Sequence, residues 1–429
     1  MRRALVFGLV VIFVLAIALP GLVILHGRDI EGASDDDLKV ARLSIPAEDN
    51  AFTHLDRATR ALAWPKDEGE HEDRVEQILA ARAWHGDWVD DVLRANVKSL
   101  DHVRRTLERV VFQPPAFRTP DDEMEGLTEW PRLGKLLALE AWSHAHRGES
   151  LASLQSSLAV VRLGHQVQNA HSGMLLHAMI GDALQEIGLT AMRNTLPLLE
   201  IEPEEARKVI AALESLRFDP ESWARMWAAE YQLMKHTLLR AGEEFGASSN
   251  DTAGERNPLS GLRPGSYVFH PNRTLAMYGD VIRSFQRDAN QPCHQLTPPA
   301  LPDARTAWHK LGLLLLPNGA GRVLVAFAAP NFHRYQLKRC VGTTHISATQ
   351  TMLALRVYEM EHGALPPSLD PLVPRYLPRL PMDAFAGARL RYRPEERMLY
   401  SIGSDFEDHG GRLAIGEDTM AEPSYQLTF

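Results

Sequence analysis

Only two cysteines, Cys293 and Cys340, occur in 429 residues. Two cysteines without CxxC spacing exclude a disulfide-built scaffold and a cysteine zinc site. Basic residues are also in the minority, with 46 Lys and Arg against 55 Asp and Glu and a formal net charge of -9. No segregated basic patch offsets that balance, which argues against a nucleic-acid partner. With 29 Gly, 27 Pro, 45% hydrophobic and 24% charged residues, collagen-like and wholly disordered chains are excluded. Catalytic signatures are missing as well: there is no HExxH, Walker loop, GxSxG, or GxGxxG after a strand. The 18 histidines form no ligand pattern. His144 and His146 are two apart and fall on different helix faces, while His171 and His177 have no carboxylate at ligand spacing.

Long apolar runs are equally scarce, and the one uncharged example is Ala4 to Leu25. As a helix it would be about 33 Å long, enough for a hydrocarbon core of about 30 Å. Arg2 and Arg3 precede it, and Asp29, Glu31 and Asp35 to Asp37 follow. The positive-inside rule then places the N-terminus in the cytoplasm and the rest of the chain outside it. The run reads as an uncleaved single-pass anchor, with a cleaved signal peptide ending near Pro20 and Gly21 as the rival. No Cys follows the run at a lipoprotein position. An oxidising compartment would permit a Cys293 to Cys340 bridge, with two free thiols as the alternative.

The length favours two globular regions. Residues 26–50 are polar, acidic and aperiodic, and read as a linker. Residues 51–290 carry helical periodicity and form an expected α-helical domain. Within it, one amphipathic helix is expected from Asp87 through Val89, Val92, Asn96, Val97, Val103 and Val110. Helices at Leu133 to His146 and Leu151 to Val167, joined through Gly148, make an αα-hairpin of tetratricopeptide type without recurrence. A helix from Met174 to about Asn194 has Gly181 and Gly188 placed for close packing, and others span Glu202 to Leu216 and Asp219 to about Phe245. Trp223, Met226, Trp227, Tyr231, Met234 and Leu238 stripe the last of these. A further helix is expected over Met277 to Ala289. Residues 291–343 read as a Pro-rich and apolar connector, whose stretch Leu311 to Pro330 is expected to be buried or to lie on a membrane surface.

From Thr344 onward a helix ending at Gly363 precedes Pro366 and Pro367, apolar patches, and a hairpin of Leu390 and Tyr392 with Met398, Tyr400 and Ile402. Tyr425, Leu427 and Phe429 suggest a closing strand. Tyr358, Gly363, Pro366, Leu380, Pro381, Asp383, Phe385, Gly387, Tyr392, Tyr400, Ser401, Gly403, Asp405, Gly410 and Gly411 follow a distinctive order. This pattern resembles the globular domain of the major pseudopilin of type II secretion systems, over about one fifth of the chain. The whole chain also resembles larger bacterial membrane-anchored proteins that end in such a module after a helical N-terminal region. The resemblance implies a C-terminal loop that binds calcium, here through Asp405, Asp408, Glu417 and Asp418, with a solvated acidic turn as the alternative. It departs from the family in lacking the Gly-Phe processing site, and its apolar run lies far from the module.

The expected fold is therefore mainly α with a small C-terminal α+β domain at 344–429. The leading expectation is a non-enzymatic binding or scaffolding protein of the bacterial inner membrane, with its bulk in the periplasm and protein partners in a secretion or envelope assembly. Two alternatives stand beside it: a periplasmic enzyme with a site near Glu230 and His236, and a minor pilus-like subunit. Glu230 is singled out as the carboxylate along the aromatic stripe, where burial would raise its pKa.

Overall fold

A computed structural model describes residues 29–32, 34–64, 68–116, 126–244, 268–296, 316–411 and 423–429. The apolar run at 4–25 lies outside them. Among the described residues, no helix is long and apolar enough to cross a membrane.

Helix α1 spans Ala51–Arg60, α2 Glu68–Leu79, α3 Gly86–Ala95 and α4 Val97–Leu107. The single amphipathic helix expected across 87–110 is thus two helices. Asn96, fully buried, divides them: its amide donates to the Ala63 and Val92 carbonyls and accepts from Ala63 N–H, spending a polar side chain on a chain reversal. Downstream of the break Val97 and Val110 face solvent, while Leu100 and Val103 stay in the core.

Helices α5 (Trp130–His146) and α6 (Ser150–Gln168) form the expected hairpin, turned by Gly148 at φ +75°. Helix α7 (Leu175–Thr195) packs along α6 at very close range. A Cβ on Gly181 would lie 2.5 Å from the Gln168 backbone nitrogen, and one on Gly188 2.8 Å from the Ser157 carbonyl. Helices α1 to α7 enclose one core around Leu55, Val103, Trp130, Leu133 and Leu163.

Helix α8 (Pro203–Ser215) is followed by α9 (Pro220–Glu244), whose first turn is capped by Asp219. Helix α10 is Pro271–Asp288, opening six residues earlier than its periodicity suggested. The aromatic stripe of α9 is core, with Trp223 and Trp227 packed against Phe285, Phe332 and Tyr335.

The expected connector and C-terminal domain are not separate. Helix α11 runs unbroken from Gly319 to His362, straight through position 344, and stops at Gly363 with φ +75°. The connector's described part from Gly319 onward is therefore the first half of that helix. Strands β1 (Met382–Asp383) and β2 (Ala388–Arg389) pair with each other. Strands β3 (Arg391–Arg393), β4 (Met398–Tyr400) and β5 (Ser424–Gln426) form an antiparallel sheet in that order, with Tyr392 opposite Leu399 and Leu399 opposite Tyr425. The sheet packs on α11, α7 and α8 in one continuous core that includes Leu189, Leu213, Leu353, Leu399 and Leu427. Cys293 and Cys340 are disulfide-bonded, with Cα atoms 5.9 Å apart, and tie the segment after α10 to α11.

The expected linker also proves to be structured where it is described. Asp29 accepts from the backbone N–H groups of Asn272 and Arg273, at 2.6 and 3.0 Å, and so caps α10. Asp35 pairs with Lys235, Asp37 with Arg283, and Leu38 is fully buried. Gln113 then holds Leu43 through both its amide atoms.

Candidate ligand-binding site at the seam

Where α7 crosses α11 the close packing stops. A cavity of about 490 Å³ opens between them, walled also by Gln168, the Leu216 to Phe218 turn and the start of β5. From α7 come Asp182, Gln185, Glu186 and Leu189, spaced so that all four share one helical face. From α11 come Lys338, Arg339, Gly342, Thr343 and His345.

Asp182 accepts a hydrogen bond from the Gln168 amide, which Gln185 in turn steadies at 2.8 Å. Burial pushes the Asp182 carboxyl up to about 7, against the opposing pull of the Tyr335 hydroxyl and the Lys338 ammonium. Glu186, one turn on, behaves oppositely. Burial raises it, but Arg193, His345 and Thr190 together hold its carboxyl below the usual range. Its Oε1 accepts from Thr190 and Arg193, both at 2.9 Å, and its Oε2 lies 3.2 Å from His345 Nε2.

His345 completes a chain to the sheet, with its Nδ1 2.7 Å from the Tyr425 hydroxyl. Burial lowers its pKa to about 4, so the imidazole is neutral near pH 7. Arg193 also donates to Thr349 at 3.1 Å and lies over the Tyr425 ring. Arg339 is 5% exposed and donates to the carbonyls of Asp288, Ala289 and Gln291, closing the C-terminus of α10. Among the described residues, its buried Nε–H has no hydrogen-bond partner.

The chain matches no family model, no curated protein and no solved structure. The seam therefore stands on its own chemistry: two carboxyls of opposite tendency, a neutral imidazole and two cations around an apolar floor.

The residues picked out from sequence lie elsewhere. The Glu230 carboxylate accepts from Leu175 N–H at 3.2 Å and so caps α7; burial raises its pKa while that bond lowers it. His236, on the same helix, is exposed. Asp405 binds its own loop through Glu407 N–H and His409, and Asp408 is engaged by Arg391, Tyr400 and Gly410 N–H. Glu417 and Asp418 lie outside the described residues, and among the described residues no three His, Cys, Asp or Glu side chains converge to hold a metal.

The sequence carries little sign of the seam. Asp182 and Glu186 are charges at helical spacing, and charges so spaced usually mark a solvated face. The one usable signal is that they alternate with Met179, Ala183 and Leu189, apolar residues on the same face. A second depression of about 710 Å³ lies between α8 and the Pro374 to Met382 loop. There Glu214 is already paired with Arg217 and Arg379, which leaves less unspent polarity than at the seam.

Proposed function

We propose that this chain is a non-enzymatic, membrane-anchored extracytoplasmic binding protein of a bacterial envelope or secretion assembly, with the seam cavity as its binding site. The observation that supports it is the cavity itself, an opening between α7 and α11 lined by polar groups not all of which have partners among the described residues. The anchor reading is supported by the apolar run and its basic and acidic flanks. Asp29 caps the N-terminus of α10, and the N-terminus of α11 lies beside that of α10, because Asn318 Oδ1 accepts from His270 N–H and the Thr274 hydroxyl. The cavity residues follow some 20 to 27 positions along α11, about 30 to 40 Å from that end.

The test is a photo-crosslinking side chain at position 179, on the cavity rim, in the membrane-bound chain, with adducts read by mass. Adducts at 179 that vanish when Gly342→Phe fills the cavity agree with the reading. Equal labelling in both forms, or none, overturns it. Protease shaving of sealed vesicles of known orientation tests the topology separately.

A second reading, an enzyme at the same seam, is favoured by the Asp182 and Glu186 pair, whose carboxyls are driven in opposite directions as a general acid and a general base require. It replaces Glu230, which is occupied in capping, as the carboxylate of interest. The pilus-like subunit requires N-terminal processing, and an intact Met1 by mass spectrometry would exclude it. Calcium at the C-terminal loop remains a proposal for Asp405 and Asp408 with Glu417 and Asp418, tested by calcium titration of thermal stability.

A further inference from the structure

We infer that the seam cavity takes an apolar monoanion, a single carboxylate on an aromatic or short aliphatic body, with the anion held at Lys338 and Arg339 and the body lying on Leu189, Leu216, Phe218 and Ile346. The inference rests on the binding reading and adds the chemistry of the ligand. Three observations carry it.

The first is the balance of charges at the wall. Of the two carboxylates, Glu186 is compensated within the protein by Arg193, with the neutral His345 imidazole beside its other oxygen. Asp182 has the Gln168 amide as its hydrogen-bond donor and lies near Lys338. Of the two cations, Lys338 is exposed and makes no ion pair or hydrogen bond among the described residues, and Arg339 meets only backbone carbonyls, with Asp288 as the nearby carboxylate. Lys338 is therefore the cation of the wall left without a hydrogen-bonded partner among the described residues, and the Asp182 Oδ2 atom across from it is likewise without a donor. The second is the buried Arg339 Nε–H without a partner, a donor held ready on a side chain almost wholly out of solvent. The third is Gly342 in the middle of α11. A Cβ there would meet nothing within 4 Å, so the backbone of the helix borders open cavity. Glycine inside a helix costs roughly 0.5–1 kcal/mol relative to alanine, and no packing contact at this position explains it.

The apolar residues set the body. Leu189 and Ile346 belong to the core between α7, α8 and α11, and Phe218 carries Arg339 over its ring at 4.7 Å. A cavity of about 490 Å³ lies within the range of small-molecule sites and holds a single aromatic ring or a short alkyl chain with room to spare. A charged head and an apolar body fit one wall each.

The experiment uses the full chain in lipid nanodiscs with its disulfide intact, and two fluorinated probes observed by fluorine NMR: 4-(trifluoromethyl)benzoate and 4-(trifluoromethyl)benzylammonium. Gly342→Phe fills the cavity where space is open and serves as the blank for partition into lipid. The expected result is broadening of the benzoate with the native chain and not with Gly342→Phe, at least tenfold weaker broadening of the benzylammonium, a tenfold or greater loss of benzoate affinity in Lys338→Glu, and retention in Lys338→Arg. If the ammonium probe binds as well as or better than the benzoate, the ligand charge is wrong while the binding reading stands. If neither probe distinguishes the native chain from Gly342→Phe, both fail.

Discussion

The two faces of α7 are packed by opposite rules. Toward α6 it presents Gly181 and Gly188, and the helices approach until no side-chain atom fits between their backbones. Toward α11 it presents Asp182, Glu186 and Arg193, and the helices are held by a hydrogen-bonded network around open space. One helix thus separates a dry contact that specifies the fold from a wet one that has room for a ligand. The difference follows from residue size and polarity. Glycine lets dispersion act at minimal distance, whereas buried charges need partners and keep the backbones apart.

The largest expected effect comes from the disulfide that ties the segment after α10 to α11, the helix that forms one wall of the cavity. The loop closed by Cys293 and Cys340 has a separation of 47 residues. The Cys293→Ser, Cys340→Ser double variant should lose about 4 kcal/mol in denaturant titration, by the chain-entropy relation for a loop of that size. The dry face comes next. Gly181→Val places carbon within 2.6 Å of the Gly164 carbonyl and of Gln168, and should cost about 3 kcal/mol in the same titration. If Gly181→Val is tolerated, the close contact does not specify the fold and the contrast fails.

A third test uses one histidine near each face. His177, in the first turn of α7 beside Trp130, and His345 at the seam both have pKa values lowered by burial to about 4. The unfolded chain holds its protons at about 6.5, so between the two values it binds more protons than the folded one. Each histidine's neutral form therefore contributes fully above pH 6.5, and that stability is lost as pH falls toward 4. The loss is on the order of 3 kcal/mol per histidine at most. His177→Gln and His345→Gln should each flatten the stability curve over that window. The His345 variant should also disturb Tyr425 and the sheet, seen as a change in near-ultraviolet circular dichroism.

Much of this architecture was legible because it is local. The hairpin of α5 and α6, the capping Asp219, the β3 and β4 pairing, and the stop at Gly363 each follow from a few adjacent residues. The break at Asn96 was not legible, because its cause is a tertiary bond to Ala63 thirty-three positions away. The same holds for the strap at 29–43, whose acidic residues find helix ends and cations some 200 positions on. Asp383 shows how a residue can be singled out from sequence while its structural reason stays hidden. Its buried carboxylate accepts from Phe385 N–H, the Ser401 hydroxyl and Ile402 N–H, so it joins β1 to the turn after β4. The seam was least legible, since a cavity is made by two helices more than 120 positions apart in sequence and by the gap between them.

The smallest predicted effect separates the two faces most finely. Asp182 is the one seam carboxyl with a raised pKa, at about 7 against an unfolded value of 3.8. Between those values the folded chain binds the extra proton, so this group's contribution is favourable at low pH and is lost as pH rises through 7. That sign is opposite to the one at His177 and His345. Asp182→Asn keeps the hydrogen-bonding shape and removes the charge, so it should stabilise the chain by about 1 kcal/mol at pH 8, discounted for solvent in the cavity, and by nearly nothing at pH 4. Thermal melts at the two pH values measure this directly. A carboxylate retained at such a cost is consistent with a working site, because natural cores give up stability mainly where a ligand or reaction requires it. If Asp182→Asn has no pH-dependent effect, the carboxyl is solvated like any surface aspartate, and the wet face of α7 differs from the dry one in packing alone.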